Sequence, residues 1–217
     1  MRRFFDEELS ELYDEFLEMG SDVNVAVTNA VSAFVKHDVE LAEQVIKADK
    51  YINKAEVQLE KGCFTLIALQ QPVASDLRNI VAVMKASSDL ERIGDHAVSI
   101  AQATIAVKGN NRILEIEKLL EEMALVVESM MTRVLKAYVS LDVEEAKRVA
   151  EEDEKVDDYL TKVVHKSTQG ILENPETVTG GMEYVQVAGY LERIGDYITN
   201  ICERIVYTVT GKLTELN

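Results

Sequence analysis

The residues best placed to do chemistry are paired carboxylates. The hexapeptide Leu-Glu-Arg-Ile-Gly-Asp occurs twice without interruption, at Leu90–Asp95 and at Leu191–Asp196. Glu91 and Asp95, and Glu192 and Asp196, therefore stand four residues apart. At about 100° per helical residue, with Leu90 at zero, Ile93 and Ala97 fall at about 300° and 340° and the two acids at about 100° and 140°. The acids share one face, and it is not the apolar seam. Asp49 with Asn53, and Asp153 with Asp157, repeat the spacing earlier in each half. Two such pairs can face each other if the segments pack side by side. Like charges at i,i+4 destabilise a helix by a few tenths of a kcal/mol, so something should neutralise them. Arg92 and Arg193, each three residues before the Asp, offer ordinary surface ion pairs. An oxygen-preferring cation offers the sharper alternative, since clustered carboxylates are its usual ligands. Taken once, such a pair in an acidic protein reads as a solvated face; recurrence in both halves favours the cation. Gly94 and Gly195 add to that, because a mid-helix glycine costs roughly 1 kcal/mol relative to alanine. Close helix packing would also explain them.

Other chemistry finds less support. His96 has Tyr197 as its counterpart, and His37 and His165 read as surface or packing residues. A ferritin-like di-iron centre needs Glu-x-x-His, and Gly94 stands where that histidine would be. Walker, dinucleotide and Gly-x-Ser-x-Gly signatures are missing from the sequence.

The elements that must position the carboxylates are helices. The repeat extends upstream, with Asp38–Ala42 matching Asp142–Ala146 and Asp49 matching Asp153. Helices are expected over about 4–35, 38–70 and 72–107 in the first half, and 112–140, 142–172 and 177–210 in the second. Asp38 and Asp142 suit N-caps, Glu145 completes a capping box, and Pro72 suits the first turn of the third helix. Apolar residues recur at three and four rather than two, as in Val83, Ala86, Leu90, Ile93, Ala97 and Ile100, so no strand is expected. The reading is an all-α chain of two tandem three-helix bundles, residues 1–109 and 110–217.

The chain has 39 acidic and 23 basic residues, a formal net charge of −16. That disfavours nucleic acid and anionic membrane surfaces, which recruit basic side chains. A hydrophobic share of 47% suffices for a core, and no apolar run approaches the roughly 20 residues of a spanning helix. Phe4 and Phe5 are followed at once by Asp6, Glu7 and Glu8, so no signal peptide is expected. Cys63 and Cys202 lack metal or redox spacing and read as core residues of a reducing compartment; the expected location is cytoplasmic.

The duplicated hexapeptide, together with Gln70-Gln71-Pro72-Val73-Ala74-Ser75-Asp76-Leu77-Arg78, closely resembles the PhoU family of phosphate-uptake regulators, over essentially the whole chain. The resemblance implies two similar three-helix bundles and a non-enzymatic negative regulator of phosphate uptake and phosphate-starvation signalling. It also implies an adaptor between the ATPase subunit of the phosphate ABC transporter and a sensor histidine kinase, acting as a homodimer. Metal ions (iron, zinc, manganese or magnesium) are implied on Asp49, Asn53, Glu91 and Asp95, and on Asp153, Asp157, Glu192 and Asp196. Asn53 departs from the family's acidic pattern as a neutral, weaker oxygen ligand, and Glu56 could be recruited in its place. The second half lacks the Gln-Gln-Pro segment, so the two bundles need not meet the same partner. The alternatives are a metal-dependent phosphohydrolase and a bundle whose acidic faces serve only solubility. Phosphate has no obvious basic pocket, so its direct binding would need bridging metal ions.

Overall fold

The computed structural model describes residues 2–107 and 112–216. Its helices are α1 (Arg2–Lys36), α2 (Val39–Gln70), α3 (Ser75–Ala106), α4 (Leu114–Ser140), α5 (Val143–Glu151), α6 (Asp153–Glu173) and α7 (Val178–Thr210), with no strand among the described residues. A short 3-10 turn, Pro175–Thr177, leads into α7. α1, α2 and α3 form one bundle; α4, α7 and the broken helix α5–α6 form the other. The expected division between residues 109 and 110 lies outside the described residues.

The first joint of each half is built the same way. His37 (φ 55°) and Leu141 (φ 52°) adopt the left-handed conformation that ends a helix. The next amide closes back on the preceding helix, Asp38 N to Ala33 O at 2.8 Å and Asp142 N to Ala137 O at 3.0 Å. Each aspartate then caps the following helix, accepting from Leu41 N at 3.0 Å and from Glu145 N at 2.9 Å. The capping box at Asp142 is only half made: the Glu145 carboxylate binds Arg133 and Arg148 instead.

Two helix boundaries depart from expectation. α3 starts at Ser75, so Pro72 lies in the connecting loop. Gln71 (φ 47°) and Ala74 (φ 45°) both leave the right-handed helical region, which a helix starting at Pro72 would not allow. The helix expected over 142–172 breaks at Glu152. Arg133 of α4 grips Glu145 at 2.6 Å and also Glu152. The chain tightens there into i→i+3 bonds, Glu152 N to Val149 O and Lys155 N to Glu152 O.

The bundles do not have separate cores. α1 packs on α4 and α3 on α7, and buried side chains from both halves form one continuous cluster. Phe16 meets Tyr138 with ring centroids 4.5 Å apart, and Phe34 meets Tyr184 edge-on at 5.7 Å. Cys63 and Cys202 are fully buried free thiols, pushed up to about 12 mainly by that burial. They are packing groups.

Candidate metal centre

Packing of α2 against α3, and of α6 against α7, brings the carboxylate pairs together across each bundle. In the first face, Asn53 Nδ2 donates to Asp49 Oδ2 at 2.9 Å. The Asp49 carboxyl is raised above its ordinary range by burial; the Asn53 hydrogen bond opposes this and the charge of Asp95 adds to it. Glu91 is raised by burial and then by Asp95, with Arg92 acting against them and Glu56 and Asp49 adding smaller contributions. Glu56 is thus electrostatically part of the face, although it is not one of the four matched positions. Arg92 lies 3.8 Å from Glu91 Oε2 and 3.8 Å from Asp95 Oδ2, so ordinary ion pairing neutralises part of this face.

The second face is more strained electrostatically. Asp153 begins α6 directly after the break and is only 7% exposed. Its carboxyl is raised to about 7, first by burial and then by Asp196, Asp157 and Glu192. Glu192 is raised by burial, Asp196 and Asp157, and Asp196 by burial and Asp157. Arg193 opposes both shifts without forming a direct ion pair among the described residues.

The repeated glycines belong to these faces. A Cβ on Gly195 would run into Asp153 Oδ1, so any larger residue there would have to displace that carboxyl. A Cβ on Gly94 would meet Ile52 Cγ2 at 3.2 Å and Asp49 Oδ1 at 3.7 Å, a much milder conflict. The close approach at both positions is by a side chain of the facing helix, not by its backbone.

Three site oxygens, Asp49 Oδ1, Asn53 Oδ1 and Asp153 Oδ1, are buried and accept no hydrogen bond. Buried acceptors are nearly always satisfied, so these fit a group that supplies positive charge or a proton. Among the described residues no three His, Cys, Asp or Glu side chains converge into a ready ligand set. The donor chemistry fits a hard cation, which would have to draw each face together; bound there, it would supply the charge that offsets the mutual repulsion.

His96 of α3 packs onto α7, stacked on Tyr190 at 5.7 Å and against Tyr197 at 5.8 Å. His165 is on the exposed side of α6. His37 has a role that the sequence conceals: its Nε2 hydrogen-bonds Glu117 Oε1 at 3.2 Å. Glu117, 2% exposed, also accepts from Tyr184 Oη at 2.9 Å and from Arg112 Nη2 at 2.6 Å. Burial alone would raise this carboxyl, but the hydrogen bonds from Arg112, Tyr184 and His37 hold it below its ordinary range. The cluster ties α1, α4 and α7 together. No local motif marks it, since its members come from three distant segments.

Two stretches of the chain, residues 16–104 and 120–205, match the model of the PhoU domain. The chain belongs to the PhoU family. The phosphate-specific transport system accessory protein PhoU homolog of Streptococcus pneumoniae serotype 4 is 39% identical over 218 residues, covering 100% of both chains. The phosphate-specific transport system accessory protein PhoU of Escherichia coli K12 is 34% identical over 208 residues, 96% of this chain and 86% of that one. The crystal structure of the phosphate transport system regulatory protein PhoU from Streptococcus pneumoniae superposes with a TM-score of 0.91 at 37% identity, covering 97% of this chain and 99% of that one. PhoU from Pseudomonas aeruginosa gives the same TM-score at 32% identity, over 96% and 100%. Accessory and regulatory proteins, rather than enzymes, carry these names. No helix among the described residues is long and apolar enough to cross a membrane.

Proposed function

We propose that this PhoU-family chain is a negative regulator of phosphate uptake and phosphate-starvation signalling, working as a metal-binding adaptor rather than an enzyme. A role in regulating phosphate transport follows from its relatives, which are named as accessory and regulatory proteins of the phosphate transport system. The adaptor reading adds the ATPase subunit of the phosphate ABC transporter and a sensor histidine kinase as partners, a homodimer as the working form and the cytoplasm as its place. The observation that supports metal binding is the second face. A buried carboxylate with an unpartnered oxygen, surrounded by three further acids, has no cation paired with it among the described residues. Iron, zinc, manganese or magnesium there would turn a repulsive patch into a rigid one and so shape the surface that a partner meets. On this reading the non-enzymatic function needs no general acid or base, only carboxylates in matched pairs.

The test is recovery of the protein from cells grown in high and in low phosphate, scored for the transporter ATPase and the kinase. The reading expects both with the wild-type chain in high phosphate and neither with a chain carrying Asp153→Asn and Asp196→Asn. Recovery of neither with the wild type would refute it. Sustained phosphoester hydrolysis with added manganese, abolished by Asp153→Asn, would instead favour a phosphohydrolase.

A further inference from the structure

The outer groove between α1 and α2 carries features that the metal faces do not use. The two helices run antiparallel and close together, with Leu12 against Gly62; a Cβ there would lie 2.7 Å from Leu12 Cδ2. Two hollows follow one another along the groove. One, of about 370 Å³, is bordered by Glu8, Glu11 and Glu15 on α1 and by Lys61 and Thr65 on α2, over an apolar base that includes Leu12 and Leu66. The next, of about 380 Å³, is bordered by Asp22 and Val25 on α1 and by Leu41 and Tyr51 on α2, over Val45 and Ile52.

The two walls are patterned. Along α1, Glu8, Glu11, Glu15, Glu18, Asp22 and Val25 alternate in steps of three and four. Tyr51, Lys54, Gln58, Lys61 and Thr65 do the same along α2. That spacing lays each set in one row beside the groove and is the register of a helix-packing seam. None of the five acids of the α1 row forms an ion pair among the described residues, although other surface acids do. Large apolar side chains border the groove in the open: Val25 is 56% exposed and Tyr51 63%. Two antiparallel helices walling an open groove in this register, charged along the Glu8–Glu15 hollow and apolar along the Val25–Tyr51 hollow, have the form of the receptor half of a helix-in-groove contact.

We propose that this groove receives an amphipathic helix of a partner protein, whose apolar seam fills the floor and whose Lys/Arg flank lies along the acidic α1 row. Its other flank, facing Lys54 and Lys61, is polar or acidic. Charge selects this occupant. A second copy of the chain would bring a net charge of −16 towards an already acidic wall. An anionic bilayer would be repelled for the same reason. Glu8 to Asp22 spans about 21 Å at about 1.5 Å per residue, so the bound helix needs roughly 15 to 20 residues. The inference rests on the adaptor reading only in supposing a protein partner, and it uses no residue of either metal face. Metal-stripped protein therefore separates failure of one from failure of the other.

The experiment titrates the full chain, metal-stripped, with a synthetic 18-residue helix that carries a leucine seam, lysines on one flank and glutamines on the other. A matched peptide has glutamate for each lysine. The wild-type chain is compared with a Glu11→Lys, Glu15→Lys, Glu18→Lys variant, and with an equally recharged Glu121→Lys, Glu144→Lys, Glu173→Lys control. The expected result is salt-sensitive binding of the lysine peptide only, weakened about tenfold or more by the α1 variant and little by the control. Equal binding of both peptides, equal loss in both variants, or no binding to the wild type would overturn it. So would sedimentation showing a wild-type dimer that the α1 variant alone abolishes, since a second copy would then be the occupant.

Discussion

The two acidic faces descend from one repeated pattern and have diverged in how they carry charge. In the first, Asn53 replaces an acid and satisfies one oxygen of Asp49, while Arg92 sits within 3.8 Å of both Glu91 and Asp95. In the second, all four positions are acidic, Arg193 stays out of contact and Asp153 is buried with its carboxyl raised to about 7. The first face is thus partly neutralised by its own side chains, whereas the second concentrates unrelieved charge. The amide of Asn53, the position of Arg92 and the deeper burial of Asp153 together leave the second face with the greater need of a counter-ion or a proton. The second face is accordingly the stronger candidate for tight metal binding.

The largest effect is expected from Asp153→Asn. It removes the buried charge, so at pH 8 the metal-free protein should gain stability, by roughly 4–8 °C in Tm for about 2 kcal/mol. It should also abolish the Tm rise that added manganese gives the wild type. Loss of stability in the metal-free variant would show that Asp153 is held by favourable contacts instead. Asn53→Asp runs the comparison backwards and makes the first face resemble the second. The metal-free variant should melt lower and bind manganese about tenfold more tightly at the first face, as calorimetry on an Asp153→Asn background would read.

A smaller difference separates the glycines. Gly195→Ala should displace the Asp153 carboxyl and weaken metal binding several-fold. Gly94→Ala, whose Cβ would meet Ile52 Cγ2 at 3.2 Å and needs that methyl to give by only a few tenths of an ångström, should change binding little and leave Tm within a few degrees. Equal effects would mean that the glycines serve helix packing alone.

The smallest expected effect is on pH dependence without metal. Between the ordinary aspartate range and about 7, folded Asp153 keeps a proton that the unfolded chain has lost. Stability of the metal-free protein should therefore fall as pH rises through that window and level off above it. Asp153→Asn should flatten that slope more than Asp49→Asn does, because Asn53 already opposes the Asp49 shift. Metal affinity at the second face should move the opposite way and weaken as pH drops below about 7, since proton and cation compete for the same oxygen.

Much of this architecture was legible because helices announce themselves locally. The apolar spacing, the two aspartate caps and the duplicated hexapeptide all act within a few residues, and each sits in the structure where the spacing places it. The break at Glu152 was not legible: it coincides with Arg133 reaching from another helix to Glu145 and Glu152, a contact that no local pattern shows. The start of α3 was missed for a related reason: proline is tolerated both in a first helical turn and in the loop before it, and backbone dihedrals at Gln71 and Ala74 decide between them. At the acidic faces the sequence supplied the residues and their pairing. It did not supply their inequality, which arises from the burial of Asp153 and the position of Arg92. The Glu117 cluster lay beyond reach altogether, since Tyr184 reaches Glu117 only when α7 packs on α4, and His37 only when the two bundles pack.

The most direct test of the central claim is anomalous diffraction from crystals of the wild-type chain grown with manganese. A peak is expected among Asp153, Asp157, Glu192 and Asp196, stronger than any peak at Asp49, Glu91 and Asp95. No peak at the second face, or occupancy of the first face alone, would contradict it.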